Sequence, residues 1–173
     1  MMEIKTEKFI LRKFRISDAE SIVKHANDKL IARNLERLPH PYTMKDAKVW
    51  LGKKLKEYRQ KNPKEFVFAI EIDGQAVGAI GFHKIISGHK AEMGYWLGRK
   101  YWGRGLMTEV VKYASQYAFK TFKLRRLQAH TFPPNKASMR VLEKNRFKLE
   151  GVLKKEIQKG KKFIDAHVFA NVR

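Results

Sequence analysis

The chain has 173 residues, of which 43% are hydrophobic and 12% aromatic, so it is long and apolar enough for one domain with a buried core, over 1–173. It has no cysteine, and it has no apolar run near 18 residues and no secretory leader, so we expect a cytoplasmic protein without disulfides or a membrane span. Lysine and arginine number 38 against 17 acidic residues, a formal net charge of +21 that favours nucleic acid, ribosomes or a polyphosphate cofactor as partners. The basic residues form no recognisable nucleic-acid-binding motif, and a solvated lysine-rich surface accounts for them equally well.

The first third of the sequence predicts one strand and two helices. Residues 4–14 read as a strand, and a capping box at 17–20 then opens a helix that runs to about residue 27. A loop containing the letters LPHPY follows. A second capping box at 43–46 opens the next helix, whose apolar residues recur at helical spacing until a proline at 63 stops it.

The remaining sequence alternates strands with two helices. An Asp-Gly pair at 73–74 predicts a tight hairpin between two apolar runs. The predicted strands are 66–72, 75–82, 91–97, 125–132, 147–153 and 162–170, and the predicted helices are 106–122 and 135–143. This order predicts an α+β fold with a mixed, mostly antiparallel sheet flanked by helices. Residues 91–143, which read strand, helix, strand, helix, are where we expect parallel strands.

A glycine pair stands at the mouth of the long predicted helix, in the letters WGRGLM of residues 102–107. Two glycines at a strand-to-helix junction let main-chain N–H groups converge on one anion, in front of the positive end of the helix dipole. A dinucleotide-binding motif is not matched, because Thr108 stands where the third glycine belongs, and no Gly-Lys-Ser/Thr phosphate loop is present. A tight helix entry without a ligand is the alternative.

Several ordered motifs resemble the GNAT acyltransferases, specifically the RimJ/RimL branch. They are AEMGYWLGRKYWGRGLMTE, HTFPPNKASMRVLEKNRFKLEGVL and GKKFIDAHVF, with LRKFRISDAE and LPHPYTMKDAKVWL before them, and the similarity extends over nearly the whole chain. The resemblance implies a GNAT-like fold, acetyl-CoA as the donor and an N-acetyltransferase activity. The six histidines have no close carboxylate spacing that suggests zinc, so we expect no metal.

The resemblance also implies which residues bind acetyl-CoA. The family's R/Q-x-x-G-x-G/A loop falls on Lys100, Gly103 and Gly105, with lysine as a mild departure at its first place. Main-chain groups of this loop are expected to hold the pyrophosphate, the end of the preceding strand to pair with the pantetheine arm, and the NKAS segment to contact the cofactor. The expected cofactor-binding residues are Trp96, Leu97, Lys100, Gly103, Arg104, Gly105, Leu106, Met107, Asn135 and Ser138.

Acetyl transfer to an amine requires a base for the amine and a proton for the departing thiolate. We expect Glu92 to be the base because it lies on the strand beside the presumed thioester, although a carboxylate paired with a lysine is an equal alternative; Glu150 and Glu156 are further candidates. Ser138 is the candidate acid. Phe169 stands where relatives often carry a tyrosine, and Arg146 stands where the branch commonly has the glycine of a helix C-cap.

The acceptor groove of relatives is lined by the loop between the first two helices. We therefore expect acceptor contacts from Arg33, Asn34, His40, Tyr42 and Trp50, while Trp50 could equally belong to the core. The preferred acceptor is the α-amino group of a protein, with ribosomal proteins among the candidates. A polyamine or small-amine acetyltransferase, and a non-catalytic GNAT-like module that binds RNA or the ribosome, stay open, as do ribosome association and a homodimer.

Overall fold

The computed structural model describes residues 3–173, which form one sheet and five helices. The strands are Ile4–Lys5 (β1), Ile10–Arg12 (β2), Phe66–Ile72 (β3), Gln75–Ile86 (β4), Lys90–Leu97 (β5), Arg126–Thr131 (β6), Lys148–Lys159 (β7) and Lys162–Val172 (β8). The helices are Ala19–Ala26 (α1), Lys29–Arg33 (α2), Met44–Glu57 (α3), Leu106–Thr121 (α4) and Lys136–Lys144 (α5), with 3-10 turns at Ile16–Asp18 and Arg99–Tyr101.

The eight strands are ordered β1-β2-β3-β4-β5-β6-β8-β7. Every neighbouring pair is antiparallel except β5 and β6, which confirms the predicted mixed, mostly antiparallel sheet and the place of its parallel pair. The β5–β6 ladder runs only from Lys90 opposite Arg126 to Glu92 opposite Gln128, although both strands continue beyond it. The two strands therefore separate in mid-sheet and leave main-chain groups available to a ligand.

Apolar side chains alternate between the two faces of the sheet and build a core on each. On β3, Phe66 and Phe68 point into the larger core beneath α4 and α5, whereas Val67 and Ala69 point into the core beneath α1 and α3. This alternation is the period-two pattern of a strand that is buried on both faces. A third, small cluster lies under the β7–β8 hairpin.

Two predictions for the amino-terminal region are corrected by the structure. The predicted strand over 4–14 is instead a short hairpin of β1 and β2. Thr6 closes its turn, because its N–H and its hydroxyl both donate to the carbonyl of Phe9, at 3.0 and 2.8 Å. The short helix α2 was predicted as part of a loop, and it adds one helical turn before the LPHPY segment. At five residues it is too short for hydrophobic periodicity to reveal it.

The first predicted capping box is also corrected. The capping carboxylate belongs to Asp18, which accepts the N–H of Arg15 at 2.8 Å and receives two hydrogen bonds of 2.8 Å from the guanidinium of Arg12. Asp18 is buried, whereas Ser17 is exposed. The second box is confirmed, since Thr43 Oγ1 accepts the N–H of Asp46 at 3.3 Å and the carboxylate of Asp46 accepts the N–H of Thr43 at 2.9 Å.

Candidate active site

A cavity of about 460 Å³ lies where β5 and β6 separate. Its walls come from the carboxyl end of β5, the entry to α4, the end of β6, the start of α5 and the segment around α2. Among the predicted cofactor-binding residues, it is lined by Trp96, Leu97, Gly103, Gly105, Leu106, Met107, Asn135 and Ser138. The sequence motifs therefore converge on one space, although they span 43 residues of the chain.

The entry to α4 has the geometry of an anion cradle. Gly103 and Gly105 adopt positive φ angles of 74° and 73°, and a Cβ built on either would meet no other atom within 4 Å. Gly105 is the N-cap, and its carbonyl accepts the N–H groups of Thr108 and Glu109 at 3.1 and 3.3 Å. The amides of Leu106 and Met107 have no partner within the helix, as at every helix N-terminus, so they are available to a phosphate.

The start of α5 forms the opposite wall. The side chain of Asn135 accepts the N–H of Ser138 at 3.2 Å and so caps the helix. Arg140 and Lys144, one turn apart, present two cations to the cavity. The sequence analysis did not single out these two residues, although their i, i+4 spacing after the NKAS segment was a readable signal.

Ser138 is tied to a tyrosine that the sequence analysis also missed. Its hydroxyl lies 2.8 Å from the Tyr95 hydroxyl, and both residues line the cavity. Burial raises the pKa of Tyr95, so this phenol stays protonated at neutral pH. The pair therefore places two neutral, hydrogen-bonded hydroxyl groups in the cavity wall. Phe169 on β8 stands where relatives often carry a tyrosine, and here a tyrosine hydroxyl comes from Tyr95 on β5 instead.

Glu92 lies on β5 but does not line the cavity. One carboxylate oxygen is 3.3 Å from His130 Nδ1, and the other accepts a 3.1 Å hydrogen bond from Lys84 Nζ. The hydrogen bond with His130, followed by that from Lys84, lowers the pKa of Glu92 to about 2 against the opposing effect of burial. Glu92 is thus an ionised, doubly paired carboxylate, whereas His130 lines the cavity.

The Lys84 contact depends on an irregularity in β4. Lys84 has a positive φ of 49°, and the β4–β5 register shifts between His83 and Ile86. In a regular strand Lys84 would face away from His83, which lies opposite Glu92. The bulge redirects the lysine toward Glu92.

Four other predicted residues lie outside the cavity lining. Lys100 sits with its ammonium 4.7 Å from the ring centre of Tyr101, and Arg104 is exposed. The guanidinium of Arg126 holds both oxygens of Glu150 at 2.8 and 2.5 Å, and Glu156 is exposed on β7.

The predicted acceptor residues separate into three groups. Asn34 lines the cavity, and its side chain donates to the Leu30 carbonyl at 3.0 Å. Arg33 and His40 are exposed and do not line it. Tyr42 is buried in the core beneath α1 and α3, which corrects its expected place in the groove, and Trp50 packs against the same core, the alternative that the sequence left open for it.

The packing of the two aromatic residues explains that correction. Trp50 makes an edge contact with Phe14, with ring centres 4.9 Å apart. Tyr42 is 6% exposed, and burial raises the pKa of its phenol to about 12. Neither side chain lines the cavity.

The β7–β8 hairpin contacts the segment around α2 that lines the cavity. Ile31 and Leu35 line the cavity beside Asn34. The ammonium group of Lys159, at the tip of the β7–β8 hairpin, donates to the carbonyl of Ala32 and, at 2.8 Å, to that of Leu35. Burial lowers the pKa of Lys159. We call this contact the Lys159 clasp.

Two absences hold for the part of the chain that the structure describes. Residues 3–173 contain no group of three or more His, Asp or Glu side chains that could hold a metal ion. Over the same residues, each helix is too short or too polar to cross a lipid bilayer.

Comparison with known proteins assigns this cavity to a family. Residues 8–148 match the family model described as "Acetyltransferase (GNAT) domain". The chain is 31% identical over 164 residues to the Bacillus subtilis protein named "Probable N-acetyltransferase YjcK", across 90% of this chain and 88% of that protein. A crystal structure of a GNAT-family acetyltransferase from Bacillus anthracis is 29% identical and superposes with a TM-score of 0.85, covering 99% of this chain and 98% of that one.

A more distant match carries a named acceptor. The Escherichia coli [ribosomal protein uS5]-alanine N-acetyltransferase is 33% identical over 82 residues, which cover 46% of this chain and 42% of that protein. The matched family model, the relatives and a cavity that ends in a glycine-rich helix entry agree with one another. The chain therefore belongs to the GNAT family and is an acetyl-CoA-dependent N-acetyltransferase.

Proposed function

We propose that this enzyme transfers the acetyl group of acetyl-CoA to the N-terminal α-amino group of a protein, with a ribosomal protein as the first candidate acceptor. The observation that carries the proposal is the 82-residue match to an enzyme named for the alanine terminus of a ribosomal protein. The proposal places the reaction in the cytoplasm, where ribosomal proteins are made.

The chemistry of α-amines supports this acceptor class. A free α-amino group has a pKa of roughly 7.7–8.0, against about 10.4 for a lysine side chain, so a much larger fraction of it is neutral near pH 7. A base of moderate strength is then sufficient. The polar side chains that line the cavity here are uncharged or imidazole groups, apart from the two cations Arg140 and Lys144 on α5.

We assign roles to the cavity residues on the same basis. The entry to α4, with Gly103 and Gly105, binds the pyrophosphate of acetyl-CoA through main-chain amides. Acetyl-CoA supplies an activated thioester carbon for attack by the amine. Glu92 and His130 together provide the basic side of the site, and the Ser138 hydroxyl, bonded to Tyr95, provides the proton for the departing thiolate.

The test is a panel of amines assayed by release of coenzyme A, with mass spectrometry to locate the acetyl group. The panel contains peptides with alanine or serine termini, the same peptides with a blocked terminus and one internal lysine, and spermidine. Acetylation at the free terminus, and its loss on blocking, is expected. Faster turnover of lysine or spermidine would overturn the acceptor assignment and leave the family assignment intact.

A non-catalytic role in binding RNA or the ribosome is the second candidate, favoured only by the net charge of +21. It predicts salt-sensitive RNA binding that acetyl-CoA does not alter, with no coenzyme A release on any member of the panel. Turnover on any amine of the panel excludes it as the sole function.

A further inference from the structure

His130 and Glu92 face the same side of the sheet at the point where β5 and β6 separate. Glu92, Gly94 and Trp96 share one face of β5 by the alternation of a strand, and Gly94 and Trp96 line the cavity on that face. Gly94 is exposed, so the sheet has a bare floor there. On β6, His130 stands beside this floor and is the only histidine lining the cavity among residues 3–173.

The pairing of Glu92 leaves it no capacity to take up a proton. Its two oxygens contact His130 Nδ1 and Lys84 Nζ, at 3.3 and 3.1 Å. Its pKa of about 2 keeps it ionised across the range in which an amine is acetylated. Its side chain is 22% exposed, but it lies behind His130 rather than in the cavity wall.

A carboxylate on one imidazole nitrogen determines what the other nitrogen does. When Nδ1 carries the proton and donates it to Glu92, Nε2 holds a lone pair. The carboxylate also stabilises the imidazolium that forms when Nε2 is protonated. The side chain of His130 is 19% exposed, so the imidazole is accessible from the cavity that it lines.

We propose that His130, through Nε2, is the group that accepts the proton of the attacking amine, and that Glu92 is its positioning residue. The inference rests on the proposed transfer to an amine. It assigns the chemistry to a side chain that lines the cavity, and it gives the ion pair behind that side chain a function.

The step balances as follows. The amine nitrogen attacks the thioester carbonyl carbon, an N–C bond forms, and the C–S bond breaks with its electron pair leaving on sulfur. The proton lost by nitrogen goes to His130 Nε2. The thiolate takes a proton from the Ser138 hydroxyl, which the solvent restores, and His130 then releases its proton to solvent. The products are an N-acetylated amine and free coenzyme A.

Several ionisable groups stand on the strands around His130. Besides Glu92 on β5, these are His83 and Lys84 on β4, His167 on β8 and Lys159 at the end of β7. His83 offers a matched control. Its Nδ1 also lies near a carboxylate, that of Glu65 at 3.5 Å, but it does not line the cavity.

The first experiment measures kcat/KM against pH for the wild type and three variants, with the best amine of the panel. His130→Gln is expected to lower kcat/KM about 10²-fold at pH 7 and to remove the ascending limb that the imidazole produces. Glu92→Gln is expected to lower it about tenfold, since the imidazole loses the carboxylate that lies 3.3 Å from its Nδ1. His83→Gln should retain the wild-type profile, and calorimetry should give all four proteins the same affinity for coenzyme A.

A wild-type pH profile in His130→Gln, at unchanged coenzyme A affinity, would overturn the inference while the proposed function stands. If the wild type acetylates no amine, the proposed function fails and the second experiment decides. Nitrogen-15 NMR of the coenzyme A complex should show His130 with a proton on Nδ1 and a free Nε2 at pH 8. In Glu92→Gln the proton should no longer prefer Nδ1. A protonated Nε2 at pH 8 in the wild type, or a tautomer that Glu92→Gln does not change, refutes the assignment.

Discussion

At the scale of single residues, Gly105 shows how one backbone angle serves two purposes. Its φ of 73° turns the chain into α4, and the space above it is open because no side chain fills it. Gly88, in the turn between β4 and β5, has nearly the same φ of 77° and equally open surroundings, but it does not line the cavity. Replacing either glycine therefore has a similar cost in backbone conformation, but only the replacement of Gly105 changes the lining of the cavity.

Gly105→Ala is accordingly expected to weaken acetyl-CoA binding about tenfold, which corresponds to about 1.4 kcal/mol, because the new methyl group enters the space where the amides must approach phosphate. Isothermal calorimetry measures the effect. Gly88→Ala, the matched control, should lose comparable thermal stability and keep wild-type affinity. Equal affinities in the two variants would show that the α4 entry does not hold the cofactor.

Ser138 and Tyr95 form the second pair that can be tested at this scale. We expect Ser138→Ala to lower kcat by about 10²-fold without changing coenzyme A affinity, because the thiolate loses its proton donor. Tyr95→Phe keeps the ring and removes only the 2.8 Å contact with Ser138, so a smaller loss is expected. Rapid-quench measurement of the acetyl-transfer step separates these effects from product release. Full activity in Ser138→Ala would show that the hydrogen bond between Ser138 and Tyr95 has only a structural role.

At the scale of elements, α5 ends in a complete Schellman motif. The N–H of Phe147 donates to the Leu142 carbonyl at 3.1 Å, and the N–H of Arg146 donates to the Glu143 carbonyl at 3.0 Å. Arg146 therefore occupies the left-handed position, with a φ of 64°, where glycine is usual. Arg146, which stands where the branch commonly has glycine, thus adopts a conformation that costs an L-amino acid roughly 1–2 kcal/mol.

Arg146→Gly is expected to raise the free energy of unfolding by about 0.5–1 kcal/mol, since the gain in backbone conformation exceeds the added entropy of the unfolded chain. For a chain of this length that corresponds to a rise in Tm of about 1–4 °C. Differential scanning calorimetry measures it. Arg146→Ala keeps the left-handed cost and should leave Tm near the wild-type value; an equal rise in both variants would assign the effect to the lost charge.

The elements show which parts of the molecule were readable from the sequence. The Asp-Gly hairpin, the Thr43 cap and the glycines of the α4 entry carry local signals, and the structure has those elements where they were predicted. The hairpin at Thr6 has no glycine or proline in its turn, so it read as one strand.

The pairing of Glu92 was hidden for a different reason. It requires a β-bulge at Lys84 and a neighbour, His130, that is 38 positions away and is brought beside it by the parallel ladder. Sequence periodicity reports which face a residue occupies, and it does not report which side chain meets it there. The sequence therefore pointed to Glu92 on β5, which is one contact away from the imidazole of His130 on β6 that lines the cavity.

At the scale of the whole molecule, the net charge of +21 acts on every partner that approaches. Acetyl-CoA is polyanionic and is attracted, whereas spermidine is repelled. Matched peptides with acidic residues after a small amino-terminal residue are expected to exceed their lysine-containing counterparts in kcat/KM at low salt. The difference should shrink as salt rises, because the Debye length is about 8 Å at physiological ionic strength. Measurement at 20 and 300 mM salt tests this, and a preference for basic peptides at low salt would contradict it.

A single domain over 1–173 and a homodimer remain predictions at this scale.

The Lys159 clasp has a consequence for how often the cavity opens. A helix of five residues such as α2 does not persist in water by itself, so its lifetime depends on what holds its end. Here one ammonium group from the far end of the sheet holds the carbonyls of Ala32 and Leu35. Lys159→Met keeps the length of the side chain and removes its donors. Trypsin should then cut after Arg33 or Arg37 sooner than in the wild type, and amide exchange should quicken in α2 but not in α3. Unchanged exchange in α2 would mean that its packing alone holds it. A faster opening would speed release of the acetylated product and weaken binding of the incoming acceptor. Lys159 would then partly set the turnover and selectivity of the enzyme without contacting either molecule.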